Sequence, residues 1–321
     1  MKAAVVESFG AAPKYRDFAE PVAGKGDKLV RVTAAGLHPI VKGLAAGTHY
    51  GSTGELPFIA GVDGVGKLED GTRVFFGTMR KPYGTFAEIA PAPEWIMQKL
   101  ADGLPDAAAA ALGNPGMSSW AALKWRANFQ AGESVLILGA TGVAGRLAIQ
   151  IAKRLGARRV VASGRNGKSL EEAASLGADA VIPLEQSAED LKAAFQKELS
   201  ENGVDVVLDY LWGAPAQALF DAMLMKGLDH KAARTRYIQI GESAGKTVQL
   251  AASVLRSSGV EILGSGFGSV ALEDIVKAVA DFFAEAAKKP FQLKTEIVPL
   301  RDVEKAWSKK SEDGVRIVFQ P

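Results

Sequence analysis

The chain has 321 residues, 48% hydrophobic and 23% charged, with 38 basic and 36 acidic side chains giving a net charge of +2. That composition allows a large core and two domains, and without a basic block or interleaved aromatic and basic residues it argues against a nucleic-acid partner. Cysteine is absent, which removes disulfides, thiol catalysis and zinc sites built on thiolates.

At the N-terminus the apolar run KAAVV is too short for a secretory leader, and no stretch reaches the ~18 apolar residues of a membrane span, so a cytoplasmic protein with no membrane partner is expected. From residue 1 to about 115 the runs KAAVV, KLVRVTAAG, GVDGVGKL, TRVFFG and GTFAEIA have strand length and are broken by Gly, Pro and Asp. They predict a β-rich, barrel-like unit. The segment LPDAAAAALGNPGMSSWAALKW then turns helical, and its alanine-rich 107–112 stretch reads as a buried helix.

From Val135 strands and helices alternate. The strand runs are VLIL (135–138), RVVAS (159–163), DAVIPL (179–184), VDVVLDY (204–210), RYIQIG (236–241) and VEIL (260–263). Between them lie the helical runs SLEEAASLGA, AEDLKAAFQKELS, PAQALFDAMLM and VQLAASVLRSSG. Six strands joined by helices predict a parallel, doubly wound α/β sheet. The helix LEDIVKAVADFFAEAAKK and the strand VRIVF follow, and the chain is expected to return with them to its first domain.

The run GATGVAG joins the first of these strands to its helix and places Gly139, Ala140, Thr141, Gly142, Val143, Ala144 and Gly145 at the helix mouth. The first glycine permits a tight turn, the second a close approach of backbone to ligand, and the third close packing of helix on strand. A helix N-terminus presents unpaired N–H groups and a positive dipole end, which suits a diphosphate. The alternative is a tight turn that binds nothing. Leu147, Ile151 and Leu155 follow at four-residue spacing and mark the buried helix face. Two near-matches to a P-loop, ASGRNGKS and GESAGKT, fail on glycine placement and loop length and read as loops.

At the end of the second strand an NAD site places Asp or Glu on the ribose, whereas this chain reads SGRNGK. Ser163, Arg165, Asn166 and Lys168 are therefore candidates for a 2′-phosphate, Arg165 first because its planar fork fits phosphate. The alternative for Arg165 is a solvated surface residue. The cofactor expected is NADPH/NADP.

The order and spacing of AAGLHPIVKGLAAGTHY, LPFIAGVDGVG, DGTRV, YGTFAEIA, AGESVLILGATGVAGRLAIQIAKRLGARRVVAS, LGADAVI, VDVVLDYLWG and GVRIVF resemble the medium-chain dehydrogenase/reductase superfamily, specifically its zinc-free quinone oxidoreductase-like branch. The resemblance implies a GroES-like β-rich catalytic domain over 1–117 and 267–321 and a Rossmann domain with six parallel strands over 118–266. Zinc-dependent relatives carry a cysteine after the first-domain AAG and a His-Glu pair where this chain reads AGVDGVG. Here His38 and Asp63 occupy those neighbourhoods without further ligands, so no metal site is expected.

By the same resemblance His38, His49, Tyr50 and Ser118 are candidates for the substrate and catalytic site. The alternatives are that His38 only caps the helix beginning at Pro39 and that Tyr50 only closes a loop. Leu211 and Trp212, Gly241 and Glu242, and Ser265, Gly266, Phe267 and Gly268 are implied along the ribose and carboxamide. Arg316 stands where relatives place a Lys that reaches cofactor phosphate.

The function expected is reduction of a quinone or another activated α,β-unsaturated carbonyl compound by NADPH without metal. The substrate would be a small electrophile, its charge delocalised by conjugation. The alternatives are an enoyl thioester or alkenal reductase, a zinc-free alcohol dehydrogenase, and a crystallin-like NADPH-binding protein without turnover. A homodimer paired through VEILGSG is the expected assembly.

Overall fold

The computed structural model describes residues 1–78, 80–224, 233–309 and 312–321. Two compact units divide the chain, one made of Met1–Asn114 and Val279–Pro321, the other of Pro115–Ala278.

The first unit opens with β1 (Lys2–Val6), β2 (Lys14–Asp17), β3 (Asp27–Gly36), α1 (Pro39–Ala45), β4 (Phe58–Ile59), β5 (Asp63–Lys67), β6 (Arg73–Gly77), β7 (Ile89–Pro93) and β8 (Gln98–Lys99). Strands β2, β1 and β4 form an antiparallel sheet. The long β3 pairs with both β5 and β7, with a register shift between Val32 and Ala34. The GTFAEIA run contributes its strand only from Ile89. A Cβ at Gly84 would lie 2.1 Å from Ile59 O, so the start of that run is a close backbone crossing rather than a ladder.

Helix α2 (Asp106–Ala121) includes the expected alanine-rich stretch, buried throughout apart from partial exposure of Ala108. It runs through Pro115 into a π-helical turn at Ala122–Arg126.

The second unit is built on β9 (Ser134–Leu138), α3 (Val143–Arg154), β10 (Arg159–Gly164), α4 (Gly167–Ser175), β11 (Ala180–Pro183), α5 (Ala188–Glu201), β12 (Val206–Asp209), α6 (Gly213–Met223), β13 (Thr235–Gln239), α7 (Ala252–Ser257) and β14 (Val260–Gly264). All neighbours run parallel in the order β11-β10-β9-β12-β13-β14, the reversal falling between β9 and β12. Leu136, Leu138, Phe195, Phe220 and Tyr237 fill its core. Met225, at the end of the expected PAQALFDAMLM helix, lies outside the described residues. The expected 248–259 helix forms only over Ala252–Ser257; before it, the Gln249 amide donates to Gln217 Oε1.

Helix α8 (Leu272–Lys288) is followed by β15 (Lys294–Pro299), α9 (Val303–Ser308) and β16 (Val315–Gln320). Strand β16 pairs antiparallel with β3, Phe319 opposite Ala35, and β15 adds parallel to it. Phe319 packs on Phe86 within the first unit's core.

Candidate functional site

In the second unit, the strand-to-helix turn after β9 is shaped by close backbone contact. Gly139 adopts φ +91, and its amide and that of Ala140 both donate to Ser163 O at 3.0 and 2.9 Å. This pins the turn to the end of β10. A Cβ at Gly145 would lie 2.2 Å from Gly139 O and 2.5 Å from Ala140 Cα, so only glycine lets α3 approach the turn. Beside Gly142 the space is open, since a Cβ there would meet only Gly139 O at 3.6 Å.

The first helical hydrogen bond of α3 runs from the Arg146 amide to Gly142 O. The amides of Val143, Ala144 and Gly145 therefore have no intrahelical acceptor, and with the helix dipole they form a seat for an anion.

The β10 end carries the next group. Ser163 is fully buried and its hydroxyl has no hydrogen-bond partner among the described residues, so it faces inward. Asn166 caps α4, its Oδ1 accepting from the Ser169 amide at 3.1 Å, which leaves its NH2 as the polar group offered outward. Arg165 and Lys168 are exposed. An added Cβ at Gly164 would meet Thr141 Cγ2 at 2.4 Å, so the glycine turn and the 163–168 loop are in contact.

Beyond β12 the chain is held in a strained form. Trp212 has φ +53 and ψ −158, a region favourable only to glycine. Asp209, wholly buried, holds it there. Its Oδ1 accepts from the Leu211 and Trp212 amides at 2.8 and 2.9 Å, and its Oδ2 accepts from Tyr237 Oη at 2.6 Å. Burial raises the Asp209 carboxyl above its ordinary value, partly countered by these donors. The Tyr237 phenol is pushed up by burial and by the adjoining carboxylate. Trp212 packs edge-on against Phe220 and Tyr237.

Gly241 follows β13, where a Cβ would lie 2.7 Å from Tyr210 O, and Glu242 beside it is exposed. Ser265 donates its amide to Gln239 O at 2.8 Å, and a small turn closes where Ser269 Oγ meets the Gly266 amide at 2.8 Å. Phe267 and Gly268 lie in that turn, both exposed. These loops all leave the carboxyl ends of parallel strands, where open α/β sheets bind ligands.

Ser118 is half-buried on α2, and its neighbour Ser119 carries the hydrogen bonding. Ser119 Oγ donates to Pro115 O at 3.0 Å and shares a 2.8 Å hydrogen bond with Tyr210 Oη. Burial pushes that phenol up, so it stays protonated. The sequence reading missed Ser119, Tyr210, Asp209 and Tyr237. For Asp209, Tyr210 and Tyr237 the available signal was a polar residue closing or interrupting an apolar strand run, as in VVLDY and RYIQI.

In the first unit, His38 is fully buried at the start of α1. Its imidazole makes no cap bond, so the capping alternative does not hold for the side chain. The ring lies over Gly36, where a Cβ would come within 2.6 Å of Nε2. Nε2 stands 3.1 Å from Asp63 Oδ1 without the alignment of a hydrogen bond. Burial pulls the imidazole below its ordinary value, against the pull of Asp63, so it is neutral.

Arg316 is buried, and its Nη1 donates to Leu37 O at 2.5 Å. Burial lowers its guanidinium to about 10 while Asp63 favours its charge. His49 accepts the Gly51 amide on Nδ1 at 3.0 Å and lies ring to ring with Tyr50 at 4.2 Å, Tyr50 being 72% exposed. Among the described residues no group of three or more His, Asp or Glu side chains is placed to hold a metal ion, and no helix is long and apolar enough to cross a membrane.

A family model described as zinc-binding dehydrogenase matches residues 144–285. A probable NADPH-dependent quinone reductase of Emericella nidulans is 26% identical over an alignment covering all of both chains. The quinone oxidoreductase of Lama guanicoe is 31% identical over 225 residues, 66% of each chain. Among solved structures, the quinone oxidoreductase of Thermus thermophilus, described also in complex with NADPH, superposes with a TM-score of 0.81 at 25% identity over all of both chains. That of Pseudomonas syringae pv. Tomato gives 0.85 at 24% identity, over 100% of this chain and 99% of the other.

Proposed function

Because the chain belongs to the medium-chain dehydrogenase/reductase superfamily, in its quinone-reductase-like branch, we propose that it is an NADPH-dependent oxidoreductase that reduces quinones. One observation carries the reading. The 139–145 turn is closed to any side chain at Gly145 and open at Gly142, directly before three amides without intrahelical acceptors. That is the form a dinucleotide diphosphate requires. The exposed Arg165 and Lys168, with the free amide group of Asn166, fit a 2′-phosphate, and the sequence SGRNGK has no acidic residue that would favour the ribose hydroxyl.

When bound, the cofactor supplies a hydride to the acceptor. The chain's own contribution is orientation. The Val143, Ala144 and Gly145 amides would hold the diphosphate, and the loop after β12, braced by Asp209, would line the rest of the dinucleotide with the loops after β13 and β14. We assign substrate contacts to Tyr50 and His49 of the first unit, where Tyr50 Oη and His49 would donate a hydrogen bond to the acceptor oxygen while solvent supplies the proton; the candidate Ser118 belongs to the second unit.

Metal does not enter this scheme. His38 faces Asp63, and the Arg316 charge beside that carboxylate opposes a second cation. With no third ligand there among the described residues, this pair does not fit zinc.

The proposal includes a cytoplasmic location, where NADPH is the working reductant, and a homodimer formed by pairing of β14, an edge strand of its sheet. The decisive experiment follows NADPH and NADH oxidation with 1,2-naphthoquinone, a simple enone, an enoyl thioester and, in reverse, a primary alcohol. Quinone-dependent NADPH oxidation is expected. Turnover only with the thioester or the alcohol, or cofactor binding without turnover, would replace this reading by one of its alternatives.

A further inference from the structure

Arg146 carries a buried charge that the proposed mechanism does not use. It directly follows Gly145 in the first turn of α3, and its side chain is 6% exposed. Nε donates to Thr141 O at 3.0 Å, and Nη1 pairs with Glu172 Oε2 at 2.6 Å. Nη2 is buried with no hydrogen-bond partner among the described residues.

A guanidinium in such a place is costly to desolvate, and an apolar residue would fill the same space on a helix otherwise buried through Leu147 and Ile151. Stability alone does not account for it. What the side chain does is join two segments. Thr141 belongs to the glycine turn and Glu172 to α4, whose first turn carries Lys168 and whose cap is Asn166. Elsewhere at the same junction Thr141 Cγ2 presses on Gly164. The turn and the 164–168 loop are thus fixed to each other at two points.

We propose that Arg146 is a positioning residue that sets the preference for NADPH over NADH, by fixing the spacing between the diphosphate-binding turn and the loop that holds the 2′-phosphate. The inference rests on reading that turn as a dinucleotide site. Glu172 neutralises the guanidinium, so the pair acts as a strut and adds little net field at the phosphates. NADPH presents two phosphate groups at a fixed separation, and a rigid site engages the second without further loss of freedom once the first is bound. NADH lacks the phosphate that the second loop would hold. Loosening the strut therefore weakens NADPH and leaves NADH unaffected. The fork geometry also matters, because a lysine reaches Thr141 O or Glu172 but does not bind both in one plane.

The test measures equilibrium binding of NADPH, NADH and 2′-AMP by calorimetry to the wild type, to Arg146→Lys, and to the double variant Arg146→Leu/Glu172→Leu. The double variant replaces the buried pair by apolar side chains and keeps the fold if the single one does not. The expected result is a roughly 5- to 30-fold rise in the NADPH Kd in both variants, with NADH and 2′-AMP held within about twofold. An unchanged NADPH Kd overturns the inference, and so does an equal loss for NADH, which would make Arg146 a support of the turn alone. A wild type that binds neither dinucleotide overturns the cofactor reading itself, and the inference with it.

Discussion

Alanine at two glycines of the 139–145 turn separates the folding of that turn from its binding. At Gly145 the new Cβ would sit 2.2 Å from Gly139 O and 2.5 Å from Ala140 Cα, both backbone atoms. Ordinary separation of about 3.5 Å returns only if the turn opens by more than about 1 Å. Overpacking of this kind costs about 1–3 kcal/mol. At Gly142 the backbone lies at φ −74 and ψ 168, open to alanine, and the nearest atom stands at 3.6 Å. Loss of the glycine cap there costs about 0.5 kcal/mol, which the stiffer unfolded chain offsets.

On the proposed reading, the space beside Gly142 belongs to the ligand diphosphate. A methyl group there removes one or two charge-assisted hydrogen bonds worth about 1.5–3 kcal/mol each, and so raises the NADPH Kd by ~10- to 100-fold or more. Thermal unfolding without ligand and calorimetric titration with NADPH make the assay. Gly145→Ala is expected to lower both Tm and affinity, the former by roughly 2–4 °C per kcal/mol. Gly142→Ala is expected to lower affinity alone. Wild-type NADPH affinity in Gly142→Ala would refute the assignment of the diphosphate to this turn.

Further outcomes follow from the same geometry. Arg165→Gln should raise the NADPH Kd by ~10-fold or more, one charge-assisted contact, and leave NADH unchanged in parallel titrations. His38, whose pKa burial lowers from 6.5, is neutral in the fold and takes up a proton on unfolding below that pH. Wild-type stability should therefore fall with acidity below about pH 6.5, by up to about 1.4 kcal/mol per pH unit relative to His38→Met in denaturant titrations. Elemental analysis of protein purified without added zinc should find far less than one equivalent, and chelators should leave turnover intact. Light scattering should give twice the 33.7 kDa chain mass, with Ile262→Pro in β14 shifting it towards the monomer by removing an edge donor.

The parts of this site that were legible in the sequence do their work within a few residues of each other. Gly139, Gly142 and Gly145 serve one turn, and the strand before them and helix after them announce themselves by period, so their roles follow from spacing alone. The six-stranded sheet follows in the same way from alternation of strand and helix. The residues that brace the site meet partners far along the chain. Ser119 bonds Tyr210, 91 positions away, and Arg316 reaches Leu37 across 279. No window of sequence holds both members of such a pair.

Arg316 shows what that separation does to an inference. Its place in the sequence implied a phosphate contact, while its burial and its bond to Leu37 O become apparent only once β16 is paired with β3. Arg146 shows the same limit. Neither its burial nor its partner Glu172 was read from the sequence, and both become apparent only when α3 and α4 pack beside β9 and β10. A buried charge of this kind marks where to look for function, and only the packed structure shows what it holds together.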